Sequence, residues 1–177
     1  MPSITLYSLY DYNCGKLIDK TFDLDDYADY DEFSEARTLW LKELTEDIND
    51  GVLREEYIVA DTDDTLGRYV SAYELDKEYF TYREVLNSLI DDYKHDAENI
   101  LNAWVNYGYP LDANQIKDTY VGHYKTAKDF GCDFLEENTD LSKVPKNLVK
   151  YINWERMAED ELINTYWESN GYTFYRI

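Results

Sequence analysis

Ile4-Thr5-Leu6-Tyr7-Ser8-Leu9-Tyr10 is rich in strand-forming residues and is stopped by Asn13-Cys14-Gly15, a pattern that predicts a strand followed by a turn. Lys16 to Phe22 returns as its hairpin partner. From Phe33 the apolar period lengthens, and Phe33, Ala36, Trp40 and Leu44 share one face of a helix. Asp29 with Glu32 opens that helix as an acidic form of the capping box, and Asn49-Asp50-Gly51 closes it. Tyr57 to Ala60 is a further short strand. In the middle of the chain Thr81 and Glu84 form a T-x-x-E box, followed by Val85, Leu86, Leu89, Ile90 and Tyr93 at helical spacing. A second helix carries Ile100, Leu101, Trp104 and Val105, with Gly108 as its stop. Toward the end the pattern predicts a strand over Thr119–Val121 and a helix over 126–137 that places Phe130 and Phe134 one turn apart. Pro145 suits the first turn of a short helix. Asn153 caps a longer one bearing Met157, Leu162 and Tyr166, ended by Asn170-Gly171 before a final strand from Tyr172 to Arg176.

Glycine and proline interrupt these patterns near Thr65–Gly67 and Gly108–Asp112. The expected fold class is therefore α+β, built as three small domains: α+β over 1–65, helical over 66–110 and α+β over 111–177. No Pro/Gly-rich linker separates them, so the boundaries are tight.

Charge changes the picture more than any motif. The 177 residues hold 38 Asp and Glu against 17 Lys and Arg, a net charge of -21, yet 44% are hydrophobic and 19 are tyrosine. That apolar and aromatic mass excludes a disordered acidic tail. The tyrosines are expected as core or half-buried residues whose hydroxyls reach water. The acidity argues against binding nucleic acid or an anionic membrane, both of which attract cations, and for a basic partner. Residues 1–60 carry 15 acids and 5 bases, 61–120 carry 13 and 5, and 121–177 carry 10 and 7. The 38 carboxylates match the phosphates on roughly 65 Å of duplex. Spread evenly over a compact surface of on the order of 9,000 Å², they reach about half the charge density of DNA. Gathered on one side of an elongated shape, they match it. A solubilising surface is the plainer reading of the same composition. No apolar run is long enough to span a membrane, and the chain shows no signal pattern, so a cytoplasmic location is expected.

Local chemistry is sparse. Asp61 to Gly67 resembles the start of a calcium loop, but Leu66 and Ala72 occupy the positions that need Gly and Glu. Weak, nonspecific binding of divalent ions to clustered carboxylates is the reading that survives. Cys14 and Cys132 form no CxxC, and His95 and His123 complete no zinc pattern. There is no phosphate-binding loop. Among so many acids, a carboxylate pair at hydrolase spacing carries no information. No cofactor, metal or catalytic residue is expected, and the chain reads as a non-enzyme.

Leu6-Tyr7-Ser8-Leu9-Tyr10-Asp11-Tyr12-Asn13-Cys14-Gly15-Lys16-Leu17, followed by Leu24-Asp25-Asp26-Tyr27 and Asp31-Glu32-Phe33, resembles the start of the ArdA antirestriction proteins. Tyr120-Val121-Gly122-His123-Tyr124 with Asp129-Phe130 is similar too, as is the ending Gly171 to Arg176. Val144 to Glu155 looks like the family's antirestriction motif. The resemblance spans nearly the whole chain, supported in the middle third more by position and charge than by motif. It implies an elongated, dimeric, three-domain mimic of bent B-form DNA. Such a protein occupies the DNA-binding groove of type I restriction–modification enzymes, formed by their specificity and methyltransferase subunits, on behalf of plasmids and conjugative transposons. The mimic surface would be carried by Asp23, Asp25, Asp26, Asp29, Asp31, Glu32, Glu35, Asp61, Asp63, Asp64, Asp91, Asp92, Asp96 and Glu98. One departure stands out: Lys143, Lys146 and Lys150 make the segment 140–153 more basic than the family motif. A dimer contact through Val144, Pro145, Leu148 and Tyr151 suits that stretch better than mimicry. The alternatives are an acidic module that binds another basic DNA-binding protein, and a carboxylate-based hydrolase.

Overall fold

In the computed structural model, residues 2–177 are described, the side chains of 64–66 excepted. The chain divides into two compact units, Met1–Glu84 and Val85–Ile177, each mixing helices with a three-stranded antiparallel sheet.

The first unit is built on β1 (Ser3–Ser8), whose alternation buries Ile4, Leu6 and Ser8. It pairs on one side with β2 (Asp19–Asp23), the predicted hairpin, in a register running from Ser3 opposite Asp23 to Tyr7 opposite Asp19. On the other side it pairs with β3 (Tyr57–Thr62), with a register shift between Thr5 and Leu6. The strand does not run on to Tyr10 as its composition suggests. Ser8 instead caps a one-turn helix, α1 (Leu9–Asn13), and Asp11 turns into the interior. Strand alternation gives way there because Asp11 has a buried partner 43 residues away, Arg54.

Helix α2 (Tyr30–Ile48) begins where the acidic capping box predicts. Asp29 Oδ1 accepts from the Glu32 amide at 3.0 Å, and Glu32 Oε2 accepts from the Ala28 amide at 2.7 Å, one residue before the usual return bond. Its inner face places Phe33 and Trp40 edge-on to Phe22, at 5.6 and 6.0 Å between ring centres. Helix α3 (Glu78–Tyr93) starts one turn earlier than its T-x-x-E signal indicates. Asp76 Oδ1 accepts from the Glu78 amide at 2.9 Å, and Thr81 lies inside the helix. The buried rings of Tyr79 and Phe80 are what the extra turn accommodates.

In the second unit, α4 (Ala97–Tyr107) ends at Gly108 as expected. Helix α5 (Ala113–Thr119) has no counterpart in the predicted elements. Asp112 caps it through the Asn114 and Gln115 amides, so the following strand, β4 (Tyr120–His123), begins a residue later than predicted. The predicted helix over 126–137 is present as α6 (Ala127–Phe130), a π-helical stretch over Gly131–Leu135 and α7 (Glu136–Asn138). The short helix after Pro145 is α8 (Lys146–Val149). Asn153 caps α9 (Trp154–Asn164), accepting from the Arg156 amide at 3.0 Å. Tyr166 is not on that helix; it opens β5 (Tyr166–Ser169). Asn170-Gly171 does not end a helix but forms the two-residue turn into β6 (Tyr172–Tyr175), with φ of 53° and 84°. Two successive positive φ values match the right-handed twist of a hairpin. The sheet order is β4-β6-β5. One core stacks Trp104, Trp167 and Phe174. A second joins Phe130, Leu135, Ala158 and Tyr166.

Gly131 marks the closest approach in that second core, because a methyl group there would meet the Trp154 carbonyl. Gly131→Ala is therefore expected to destabilise the fold by about 1–3 kcal/mol despite the better helix propensity of alanine. Urea unfolding checks this, and a stability equal to or above the parent's would show that the contact relaxes without loss.

Candidate functional site

Asp11 is the one buried carboxylate among the described side chains; the acids expected to form a surface lie at or near it. Asp25, Asp26, Asp29, Asp31, Glu32, Glu35 and Asp61 are exposed, and Asp23 and Asp63 are half-buried. The side chain of Asp64 lies outside the described residues. Their placement follows from the sheet and the first turn of α2. Asp23 faces Ser3 across β1 on one side, and the Asp63 amide donates to the Ser3 carbonyl at 3.1 Å on the other. The two residues thus sit two strand spacings apart, about 10 Å. Asp25 and Asp26 occupy a 3₁₀ turn (Leu24–Asp26) whose first amide bond goes to Asp23 Oδ1 at 3.1 Å. Asp29 caps α2, and Asp31 and Glu35 follow one turn apart on it.

Two tyrosines register this convergence. The Tyr79 hydroxyl is pushed up to about 12, first by burial, with Arg83 opposing and Asp25, Asp63 and Asp23 adding to the rise. Tyr27 is raised by burial and then by Asp26 and Asp23. Among the described residues no ion pair neutralises Asp23, Asp25, Asp26, Asp31 or Glu35. Arg83, in the same neighbourhood, spends its guanidinium on backbone. Nη1 donates to the Leu24 carbonyl, and Nη2 donates to the Tyr27 and Ala28 carbonyls at 2.6 and 3.0 Å.

The second unit holds the remaining acids of the expected surface, all exposed. Asp91 and Asp92 lie in the last turn of α3, which carries no basic residue, the helix end where negative charge is unfavourable. Asp92 is paired with Lys117 at 2.7 Å. Asp96 lies 3.5 Å from the Tyr172 hydroxyl, and after burial its charge is the next cause raising both Tyr120 and Tyr172. Glu98 sits in the first turn of α4, where the helix dipole favours it.

The segment expected to mediate a dimer is exposed. Leu148 is 49% and Tyr151 73% accessible, Pro145 is exposed, and Val144 is half-buried. Lys150 Nζ lies 5.0 Å from the Tyr151 ring centre, and Lys143 and Lys146 are also exposed.

Two groups escaped sequence reasoning. One is Arg83. The other is an ion cluster in the first unit around the buried Arg54, which clamps the buried Asp11 with Nε and Nη2 at 2.6 and 2.9 Å. Arg54 also bonds Asp50 with Nη1 and Nη2 at 3.1 and 3.0 Å. These bonds hold the Asp50 carboxyl at about 2 and lower that of Asp11 against the effect of burial. Asp11 had no local signal beyond its place after a strand-like run. Among the described residues no group of three His, Cys, Asp or Glu is placed to hold a metal ion. Cys14 and Cys132 are free thiols. Among the described residues no helix is long and apolar enough to cross a membrane. No curated protein sequence matches the chain. The family model described as antirestriction protein (ArdA) matches residues 6–174.

Proposed function

The chain belongs to the ArdA antirestriction protein family, and from that premise we propose that it acts as a non-enzymatic mimic of B-form DNA. In this reading it fills the DNA-binding groove of a type I restriction–modification enzyme in the cytoplasm. It thereby blocks both cleavage and modification of DNA arriving on a mobile element. The observation that carries the reading is the convergence of acids from β2, the 24–29 turn, the end of β3 and the start of α2, of which Asp23, Asp25, Asp26, Asp31 and Glu35 have no ion-pair partner among the described residues. The first unit holds 22 acids against 8 bases and the second 16 against 9.

Stability accounts for part of this arrangement, because Asp23 and Asp29 cap helical turns, Glu32 closes the capping box, and the first turn of α2 favours the charges of Asp31 and Glu32. It gives no reason for the rest. Asp31 and Glu35 repel each other along α2. Asp91 and Asp92 burden the end of α3, and Glu46 and Asp47 likewise occupy a last turn of α2 without a basic residue. Such charges favour a basic partner, whose field they complement over many groups at once.

The test is competition for DNA. The chain is expected to displace duplex from a purified type I enzyme without consuming any cofactor or substrate, and displacement should weaken steeply as salt rises. The salt slope should be shallower than that of duplex DNA, which has a denser counterion atmosphere to release. Failure to displace, combined with tight binding to a histone-like protein, would transfer the reading to another basic DNA-binding partner.

The same reading makes the protein a homodimer through the stripe of half-buried Val144 and exposed Pro145, Leu148 and Tyr151. Leu148→Glu should then place a charge against its symmetry mate and give a folded monomer in sedimentation. A folded variant that still sediments as a dimer removes this stripe from the interface.

A further inference from the structure

We infer that Arg83 is a positioning residue for the acidic surface: its guanidinium holds the 24–29 turn by three backbone carbonyls and so fixes the carboxylates of Asp23, Asp25, Asp26 and Asp29 as a rigid array. The inference rests on the proposed DNA mimicry and adds to it the element that keeps the charges in place. A mimic whose carboxylates wander loses ordering entropy on binding, whereas a preorganised one does not.

Three features single out Arg83. Its partners, the carbonyls of Leu24, Tyr27 and Ala28, lie 55 to 59 residues earlier in the chain, so the bonds tie the start of α3 to the acidic turn. The buried side chain of Leu24 and the Tyr27 ring, which packs against Phe22 and Phe33, anchor the two ends of the turn, and its own backbone bonds between them are local. The Tyr27 amide reaches the Leu24 carbonyl at 3.4 Å, and the Ala28 amide relies on Glu32. The guanidinium is also held from behind, 4.9 Å from the Phe80 ring centre, which sets the plane of its donor fork. Among the described residues no carboxylate lies within ion-pair distance of Arg83. A cation beside a dense acidic cluster would ordinarily collapse onto it. This one commits both of its terminal nitrogens to carbonyls, and the carboxylates stay available to a partner.

The sign of the effect separates anchoring from simple charge. A counter-ion dampens the negative field, so its removal strengthens binding to a basic groove. An anchor organises the field, so its removal weakens binding even though the chain gains a net negative charge. The experiment compares the full chain with Arg83→Met and Arg83→Lys. A core truncation in the second unit, Ile116→Val, reports the effect of a loss of global stability alone. Two quantities are read: half-inhibition of DNA binding by a type I enzyme, and amide hydrogen exchange over residues 25–29.

Arg83→Met should raise the half-inhibition concentration about fivefold to tenfold and speed exchange of the turn about tenfold. Arg83→Lys, which keeps the charge but not the fork, should recover part of both. Ile116→Val should leave both unchanged at a comparable loss of thermal stability. Should Arg83→Met fail to fold, the Lys variant decides, by a turn that exchanges faster than the parent's with weaker inhibition. Equal or stronger inhibition by Arg83→Met, unchanged exchange in the turn, or the same losses in Ile116→Val would each overturn the inference. If the parent chain itself does not inhibit, the mimicry reading fails, and the exchange comparison alone decides whether Arg83 holds the turn.

Discussion

With Asp23, Asp25, Asp26, Asp29, Asp31, Glu32 and Glu35 all converted to their amides, the chain is expected to lose inhibition of a type I enzyme by about 100-fold or more. Asp25→Asn alone should shift it less than tenfold. An exposed charge pair contributes about 0.2–1 kcal/mol, below the roughly 1.4 kcal/mol that a tenfold change requires. Seven such groups acting through one field reach several kcal/mol. The amides are chosen because they spare the fold. Asn at position 29 still accepts from the Glu32 amide as a helix cap, and Gln at 32 still accepts from Ala28. Relief of the repulsion between Asp31 and Glu35, worth a few tenths of a kcal/mol, is opposed by the loss of favourable negative charge at the start of α2, so stability should fall by no more than about 1–2 kcal/mol. Inhibition is then lost without a comparable loss of the fold, which thermal unfolding and DNA competition measured on one preparation will show. A hydrolase behaves otherwise, because one carboxylate there is all-or-none and its neighbours hardly matter. Finding a single acid whose amide abolishes inhibition in a folded chain would sink the mimic reading.

Arg54→Met is expected to give the largest loss of stability in the molecule, about 3–5 kcal/mol, because it strands the buried Asp11 carboxylate without its clamp. Total stability of a protein this size is about 5–15 kcal/mol, so the variant should be partly unfolded in mild urea. Asp11→Leu combined with Arg54→Met should recover much of the loss, since apolar groups of similar volume commonly replace a buried pair without penalty. The cluster also sets an acid limit. Asp11 and Asp50 have folded values below those of the unfolded chain, Asp50 at about 2. Their contribution is thus fully present above about pH 4 and is lost as pH falls toward 2. Circular dichroism of the parent should show that loss across this window, and Arg54→Met should lack it. A variant within about 0.5 kcal/mol of the parent, the usual range for a surface substitution, would mean the cluster is not what holds α1 to the loop after α2.

What was legible in the chain followed the range of the forces involved. The β1–β2 hairpin, the Asp29 cap, the Gly108 stop and the Asn153 cap are settled within a few residues by backbone bonds, and each stands where its local signal lies. Tyr166 was misplaced because Asn170-Gly171 serves equally as a helix stop and a hairpin turn, and only pairing with Tyr175 chooses between them. The start of α3 shifted because Asp76 competes with Thr81 as a cap, and the burial of Tyr79 and Phe80 decides for Asp76. For the site, exposure of the acids was readable from their number alone. Their convergence was not, because it depends on pairing across β1. Arg54 and Arg83 left no pattern, since the buried partner of Arg54, Asp11, lies 43 residues away, and those of Arg83 lie more than 50 away and are backbone carbonyls common to every sequence.

The strand order has a consequence in time. In the second unit β4 and β5 are not paired with each other; among the described residues each pairs with β6, which is the last of the described strands to emerge during synthesis. In the first unit the central strand, β1, is the earliest made. At about 5–20 residues per second, the roughly 110 residues between β3 and β6 take about 5–20 seconds to appear. During that interval one sheet already has all its strands while the other has none of its pairings. The sheet of the more acidic unit thus has all its strands on the ribosome well before the other sheet can form.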